Sequence, residues 1–327
     1  MEAGVKVYIA SDGRALELLK KEFPSLPFFE LPGYGVKYRS SNMVLNMMTV
    51  APKLLNAIFN EFFLIKKIIK ENDINAIVSD NRLGCFSKKI PSVFVTHQID
   101  LRLPNKLFQF VARRINYFFL GKYDRCWIPD VEGLPNLSGC LSHGFLIKKK
   151  TYIGGLSRMK KKKVPNRYKA IAVLSGPEPQ RSNLEKIIIG QAKETAHNFL
   201  IVLGKTEKEE HFLMEKNIEI KSFLTSEELN KAILASDVYI GRSGYSSIMD
   251  LIKLNKPALL IPTPGQTEQE YLCEHLSEND FFCFQKQEEI NLEKGIIEAL
   301  NKKGVKNNYF TEKKIEAAIN ELLNLCE

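Results

Sequence analysis

The sequence has no pair of cysteines at CxxC spacing and none at the spacing of a zinc finger. Its six cysteines are Cys85, Cys126, Cys140, Cys273, Cys283 and Cys326. Most lie beside apolar residues, as in Arg125-Cys126-Trp127 and Phe282-Cys283-Phe284. They read as small buried hydrophobes of a reducing compartment, not as a disulfide framework. No charged stretch followed by an apolar run opens the chain, so no secretory signal is legible. Apolar runs long enough to cross a bilayer are also missing. The best candidate, residues 54–69, is interrupted by Asn56, Asn60, Glu61, Lys66 and Lys67. These absences point to the cytoplasm, with contact at the inner face of the cytoplasmic membrane left open. Acidic residues are the minority, 38 Asp+Glu against 47 Lys+Arg, for a formal net charge of +9. That balance favours anionic partners such as nucleotide phosphates or acidic lipid head groups. No recognition motif supports nucleic acid, and no cluster of metal-ligating residues is visible.

What is present is enough chain for two domains of ordinary size: 327 residues, 44% hydrophobic and 26% charged. Short apolar runs alternate with amphipathic stretches, the pattern of an α/β protein. Strands are expected at 5–10, 76–79, 92–96 and 125–128, with helices at 14–22, 42–70 (broken near Pro52) and 106–120. Ser11 or Asp12 can cap the first helix. Residues 154–168 read as a linker, with Gly154-Gly155, the lysine run 160–163 and Pro165. The pattern then restarts. Strands are expected at 170–174, 199–203, 218–222, 238–240 and 258–261, and helices at 181–192, 226–235, 245–254 and 311–325. The division is therefore 1–153, a linker 154–168, a second unit 169–308, and a last helix within 309–327 that crosses back. Glu2-Ala3-Gly4 is how a helix ends, with Gly at the left-handed position. The expectation is that a preceding strand–loop–helix unit is absent.

The stretch 241–271 carries the most chemistry. A strand leads into Arg242-Ser243-Gly244, which opens a helix whose N–H groups and dipole favour an anion. Gly244 allows close approach of a phosphate. Asp250 stands two helical turns beyond Ser243 on the same face, where a carboxylate can accept hydrogen bonds from ribose hydroxyls. After the next strand and the 262–265 turn, Thr267, Glu268, Gln269 and Glu270 present polar groups at a helix start, as sugar hydroxyls require. Each feature alone is equally a turn glycine, a solvent carboxylate or a polar helix start; the weight lies in the set.

The spacing of that set resembles the C-terminal domain of family 28 glycosyltransferases. The family pattern of Ser-Gly, an acidic residue, two prolines and a Gln pair falls on Ser243-Gly244, Asp250, Pro257, Pro262 and Gln269-Glu270 without gaps. Asp250 stands where Glu is usual, and Glu270 where a second Gln is usual. Ser175 and Gly176 fall in the place of the family's Gly-rich loop. Pro177 and Pro179 remove N–H donors there, which Arg181 or Ser182 could replace. Arg158 matches an interdomain Arg that meets the nucleotide, and His97-Gln98 matches a His-containing turn.

The resemblance implies a GT-B fold, two Rossmann-like domains facing a cleft. It implies transfer of a hexosyl group from a nucleotide sugar, uridine-linked by family habit, to an acceptor hydroxyl, with no cofactor and no metal. The donor set it implies is Arg158, Ser175, Gly176, Arg181, Arg242, Ser243, Gly244, Asp250, Thr267, Gln269 and Glu270. The family's N-terminal loop histidine has no counterpart here. The base is left to Asp80 or His97, though Asp80 reads equally as a strand-end cap. A hydrolase or epimerase of the same fold, or a non-catalytic donor-binding subunit, remain the alternatives. The helix 106–120 pairs Arg113 and Arg114 with Phe108, Phe110, Phe118 and Phe119. It is either a core stripe or a face for an anionic membrane and a lipid-linked acceptor.

Overall fold

The computed structural model describes residues 4–33, 43–103, 105–144, 149–205, 211–213, 217–304 and 309–326. The expected helix end at 1–4 lies almost wholly outside them, as does the start of the helix expected from residue 42.

The N-terminal half contains β1 (Ile9–Ser11), α1 (Gly13–Glu22), β2 (Phe28–Glu30), α2 (Met43–Asn72), β3 (Ile77–Asp80), β4 (Ser92–Val95), α3 (Lys106–Leu120), β5 (Arg125–Ile128) and β6 (Lys150–Tyr152). Strands β3-β4-β5-β6 form one parallel sheet in that order, and β1 pairs with β2 alone. The first strand is shorter than its apolar run because only Ile9, Ala10 and Ser11 find partners, at Phe28, Phe29 and Glu30. Helix α2 runs straight through Pro52. Its buried Ile58, Ile65 and Ile68 hold it to the core on the far side of the proline, so tertiary packing outweighs one lost backbone bond. Strand β6 and the short β2 are not apparent in the sequence pattern.

The C-terminal half runs β7 (Tyr168–Val173), α4 (Gln180–Lys193), β8 (Phe199–Val202), β9 (His211–Leu213), β10 (Ile218–Lys221), α5 (Ser226–Leu234), β11 (Ser236–Gly241), α6 (Tyr245–Leu254), β12 (Ala258–Leu260), α7 (Thr267–Ser277), β13 (Cys283–Phe284), α8 (Leu292–Leu300) and α9 (Glu312–Asn324). Its seven strands lie in the order β13-β12-β11-β7-β8-β10-β9, all parallel except β9. The central β8 and β12 are continuous apolar runs, as are β7 after Lys169 and β11 after Asp237 up to its final glycine, because both faces are covered. Ile171, Tyr239 and Leu260 face α6 and α7 residues such as Ile248, Ile252 and Leu272. Ala170, Ile240 and Leu259 face α4 and α8 through Leu184, Ile188 and Ile296. Local chemistry agrees with the boundaries. Thr225 and Glu228 form a reciprocal capping box at α5, and Asn255 ends α6 in the left-handed conformation, φ 52°.

In a parallel sheet all strand ends of one kind share an edge. That edge carries Asp80 and His97 in the first half, and the loops after β7, β11 and β12 in the second. Two crossing segments join the halves side by side. Gly155 N donates to Tyr309 O at 2.7 Å, and a side chain at Gly154 would press on that same carbonyl. Beyond the second crossing, α9 packs Ala318 and Leu322 on Val93, Val95 and Trp127 of the N-terminal sheet, and Arg125 bonds Glu321 at 2.5 Å.

A seam beside the crossings joins the loop after β5 to α7. Cys140 N donates to Tyr271 Oη at 2.8 Å, and His275 Nε2 lies 2.9 Å from Asn136 O. Gly139 has φ +51°, and a Cβ there would overlap the Tyr271 hydroxyl. Gly139→Ala is expected to destabilise the protein by about 1–3 kcal/mol through overpacking and left-handed strain. Chemical unfolding of the variant beside wild type measures this.

Four cysteines, Cys85, Cys126, Cys273 and Cys283, are buried, and all six are free. No helix is long and apolar enough to cross a membrane among the described residues.

Candidate functional site

The donor-side residues meet at the strand ends of β7, β11 and β12. Gly176 takes φ +105° in the exposed loop after β7. Arg242, next after β11, is only 2% exposed. Its Nη1 donates to Pro262 O at 3.1 Å, and its Nη2 to Gln180 O at 2.9 Å and Gln287 Oε1 at 2.6 Å. Burial lowers its pKa to about 10, with Glu288 acting in the other direction. Ser243 is fully buried and donates through Oγ to Gln269 O at 3.1 Å. Gly244 is the N-cap of α6 with open space on its Cβ side.

The polar start of α7 is tied into its own turn. Gln269 Oε1 accepts from Thr263 N at 2.8 Å, and its Nε2 donates to Gln266 Oε1 at 2.5 Å. Glu270 Oε1 accepts from Gly265 N at 3.1 Å. Thr267 Oγ1 instead reaches across to the other half, donating to Arg102 O at 2.6 Å. Asp250 accepts from Ser157 Oγ at 2.5 Å. Burial raises the Asp250 pKa, while the Ser157 bond and the nearby Arg158 charge lower it. The linker residues 157 and 158 thus lie against the α6 face.

Arg181 differs from the sequence expectation. Its guanidinium points inward, 5% exposed, to Glu178 Oε1 at 2.7 Å, Glu185 Oε2 at 2.6 Å and Leu203 O at 3.2 Å. With one carboxylate three residues before it in the loop and another four residues on along its helix, it is neutralised locally and does not compensate the prolines of the loop. Ser175 remains exposed on that loop.

Across the cleft, His97 follows β4. Its Nε2 lies 2.7 Å from Glu268 Oε1 at the start of α7, 171 positions away. Its ring stacks on Tyr245 of α6, centroids 4.1 Å apart and planes 1° apart. Asp80, at the end of β3, has its carboxyl pKa raised by burial and lowered by the His97 charge. So His97 is gripped by two residues of the C-terminal half, both within the 241–271 stretch. A carboxylate spatially beside His97 has no short-range sequence signal, because the pair exists only once the halves meet. Beside this contact a cavity of about 360 Å³ opens between α3 and α7, lined by Asp100, Arg102, Gln109, Thr267, Glu270 and Tyr271 among others. Arg113 holds Asp100 there through two bonds of 2.7 and 2.9 Å.

Residues 171–325 match the family model described as the glycosyltransferase family 28 C-terminal domain. A UDP-N-acetylglucosamine--N-acetylmuramyl-(pentapeptide) pyrophosphoryl-undecaprenol N-acetylglucosamine transferase of Clostridium kluyveri is 30% identical over 137 residues. That stretch is 40% of this chain and 38% of the relative. Among solved structures, the calicheamicin glycosyltransferase CalG4 superposes with a TM-score of 0.59 at 9% identity, over 98% of this chain and 94% of that one. The S. aureus MnaA–UDP co-structure superposes with a TM-score of 0.52 at 13% identity, over 98% of each chain. At these identities the structural likeness speaks for the fold, which is GT-B.

Proposed function

We propose that this chain, whose C-terminal half is a glycosyltransferase family 28 domain on a GT-B fold, moves a hexosyl group from a uridine-linked nucleotide sugar to a hydroxyl of a lipid-linked acceptor. The observation that carries this reading is that Gly176 lies over Arg242 and Thr263 while His97 of the opposite sheet stacks on Tyr245, the residue after Gly244. Residues 169–308 hold the donor and 1–153 the acceptor, joined by 154–168. The diphosphate lies between Gly176 and the N–H groups of α6, which stabilise the leaving charge. Asp250, released from or shared with Ser157, accepts from the ribose, and Arg158 lies beside it. Gln269 and Glu270 shape the sugar end.

The acceptor oxygen attacks the anomeric carbon as the bond from that carbon to the diphosphate oxygen breaks. The hydroxyl proton passes to His97, whose Nε2 contact with Glu268 leaves Nδ1 as the accepting nitrogen. The uridine assignment is supported by the relative's name and by the UDP in the co-structure. Calorimetric titration of UDP tests it. Wild type is expected to bind in the micromolar range, and Asp250→Ala at least about tenfold more weakly, the scale of lost hydrogen bonds to a charged group. No binding of UDP or any other nucleoside diphosphate by wild type would sink the proposal.

The lipid part rests on α3, which borders the cavity between the halves. Leu107, Phe110, Val111, Ile115 and Phe118 stand exposed along it. Arg114 lies over the Phe110 ring at 5.2 Å and Lys122 over Phe118 at 4.2 Å. An apolar stripe rimmed by cations suits an anionic bilayer surface. In flotation with vesicles containing phosphatidylglycerol, wild type is expected to float and Phe110→Ser/Phe118→Ser to lose about tenfold or more of its binding. Equal flotation of both removes α3 from the membrane contact.

A further inference from the structure

Arg242 is the largest side chain of the C-terminal half that is wholly enclosed, and its environment is unusual for a cation. Among the described residues no carboxylate is bonded to it, and the only acid charge acting on it there is that of Glu288. Its hydrogen bonds among the described residues go to neutral oxygens, those of Ile261, Pro262, Gln180 and Gln287. Arg181, Arg82 and Arg113 are each matched with acids. A buried charge without a counter-charge is costly and is retained only where something offsets it.

Two further atoms stand out at the same place. Arg242 Nε and Thr263 Oγ1 are both buried and both without a hydrogen-bond partner among the described residues. Both lie under Gly176. A Cβ built on that glycine would sit 3.9 Å from Arg242 Nε and 3.6 Å from Thr263 Oγ1, their chain neighbours apart its nearest atoms. Gly176 itself is exposed on its other side. One exposed glycine thus lies over a guanidinium that makes no carboxylate hydrogen bond among the described residues.

We infer that Arg242 is the fixed positive pole of the donor site: a positioning residue that ties the Gly176, Pro262 and Gln287 segments together and acts through Gly176 on the diphosphate without touching it. This rests on the donor reading above. It departs from the sequence expectation, which placed Arg242 among the residues that contact the donor. A Cβ would fit there at ordinary contact distance, so it is the φ of +105°, which side chains rarely adopt, that calls for glycine. The charge is pre-oriented by its bonds, so it costs no reorganisation when the ligand arrives. Screening is weak because the group is buried.

The test compares UDP with uridine, which lacks the diphosphate, in binding to wild type, Arg242→Gln and Arg242→Lys. Arg242→Gln is expected to weaken UDP by about tenfold or more, the scale of one charge acting over a few ångströms of protein, and to leave uridine within about twofold. Arg242→Lys, which keeps the charge, is expected to keep the UDP-to-uridine ratio within about threefold. Equal weakening of both ligands by Arg242→Gln means that the residue only scaffolds the loops, and overturns the inference. Should Arg242→Gln not fold, wild type itself decides. The buried Arg242 Nε–H gives its own cross-peak in a nitrogen-edited NMR spectrum, assigned by its loss in Arg242→Lys. UDP is expected to shift it and uridine to leave it in place. An identical response to both ligands refutes the proposal. Wild type that binds uridine but gains nothing from the diphosphate refutes it while leaving a nucleoside site. Wild type that binds neither refutes the donor reading as well.

Discussion

His97→Ala is expected to slow sugar transfer by about 10²–10⁴-fold, the usual contribution of a positioned general base. UDP affinity should change by no more than about threefold, because the donor loops belong to the other half. The readout is UDP release from a UDP-hexose in the presence of a polyprenyl-diphosphate glycolipid acceptor. Asp80→Asn serves as the companion. If Asp80 is the base, its variant shows the larger loss and the assignment to His97 fails. The geometry favours His97 for a specific reason. Its ring is held flat on Tyr245, whose hydroxyl donates to Pro129 O at 2.9 Å, and Nε2 is engaged by Glu268. A base must be aimed as well as present, and His97 is aimed by two residues of the opposite half. Tyr245 is itself too deeply buried to ionise readily; its phenol pKa is pushed well up by desolvation, so it acts as a platform and not as an acid.

Arg82→Met is expected to destabilise the N-terminal half by about 3–5 kcal/mol, the cost of leaving a buried charge without its partner. Glu61 is fully buried in α2. Arg82 Nε donates to its Oε1 at 2.6 Å, and Gly84 N donates to its Oε2 at 3.2 Å. The same guanidinium reaches Asp12 Oδ1 at 2.5 Å and Pro32 O at 2.8 Å, so β1, the segment after β2, α2 and the loop after β3 all converge on it. Urea unfolding followed by tryptophan fluorescence is a clean probe, because the single Trp127 lies in that half. The double variant Glu61→Leu/Arg82→Met should recover part of the loss, since an apolar pair needs no solvation. A double variant as unstable as the single one would mean that the cost lies in the four-way tether and not in the charge.

The two results bear differently on what the sequence made legible. The block from Gly241 to Tyr271 could be read in register because one strand–helix–strand–helix unit contains it, and local spacing survives folding. The buried parallel strands were legible for a similar reason, since continuous apolar runs with turn residues between them admit few other fates. Ser11 or Asp12 was expected to cap α1, and Asp12 holds the N-cap position. It precedes the helix without a side-chain cap bond and pairs with Arg82, 70 positions on. Arg181 and Arg242 look alike in sequence. Only Arg181 has acids at positions three before and four after it, and that spacing was a usable signal that it would be neutralised. Nothing comparable marks Glu268 as the partner of His97, because the partnership is created by the docking of two halves. Short strands such as β2, β6 and β13 were also beyond pattern reading. Two to three residues are too few to show a period.

The two crossings and the Gly139 seam lie along one margin of the cleft. At another place the contact is slight: Lys21 over the Phe223 ring at 4.3 Å, and Ser226 N on Glu22 at 3.4 Å. The halves are therefore fastened like the covers of a book, with a spine that holds and a fore-edge that parts easily. Ligand entry is expected from the fore-edge, where fewer bonds have to break. A disulfide placed there would lock nucleotide in or out, whereas one placed along the spine would leave exchange untouched.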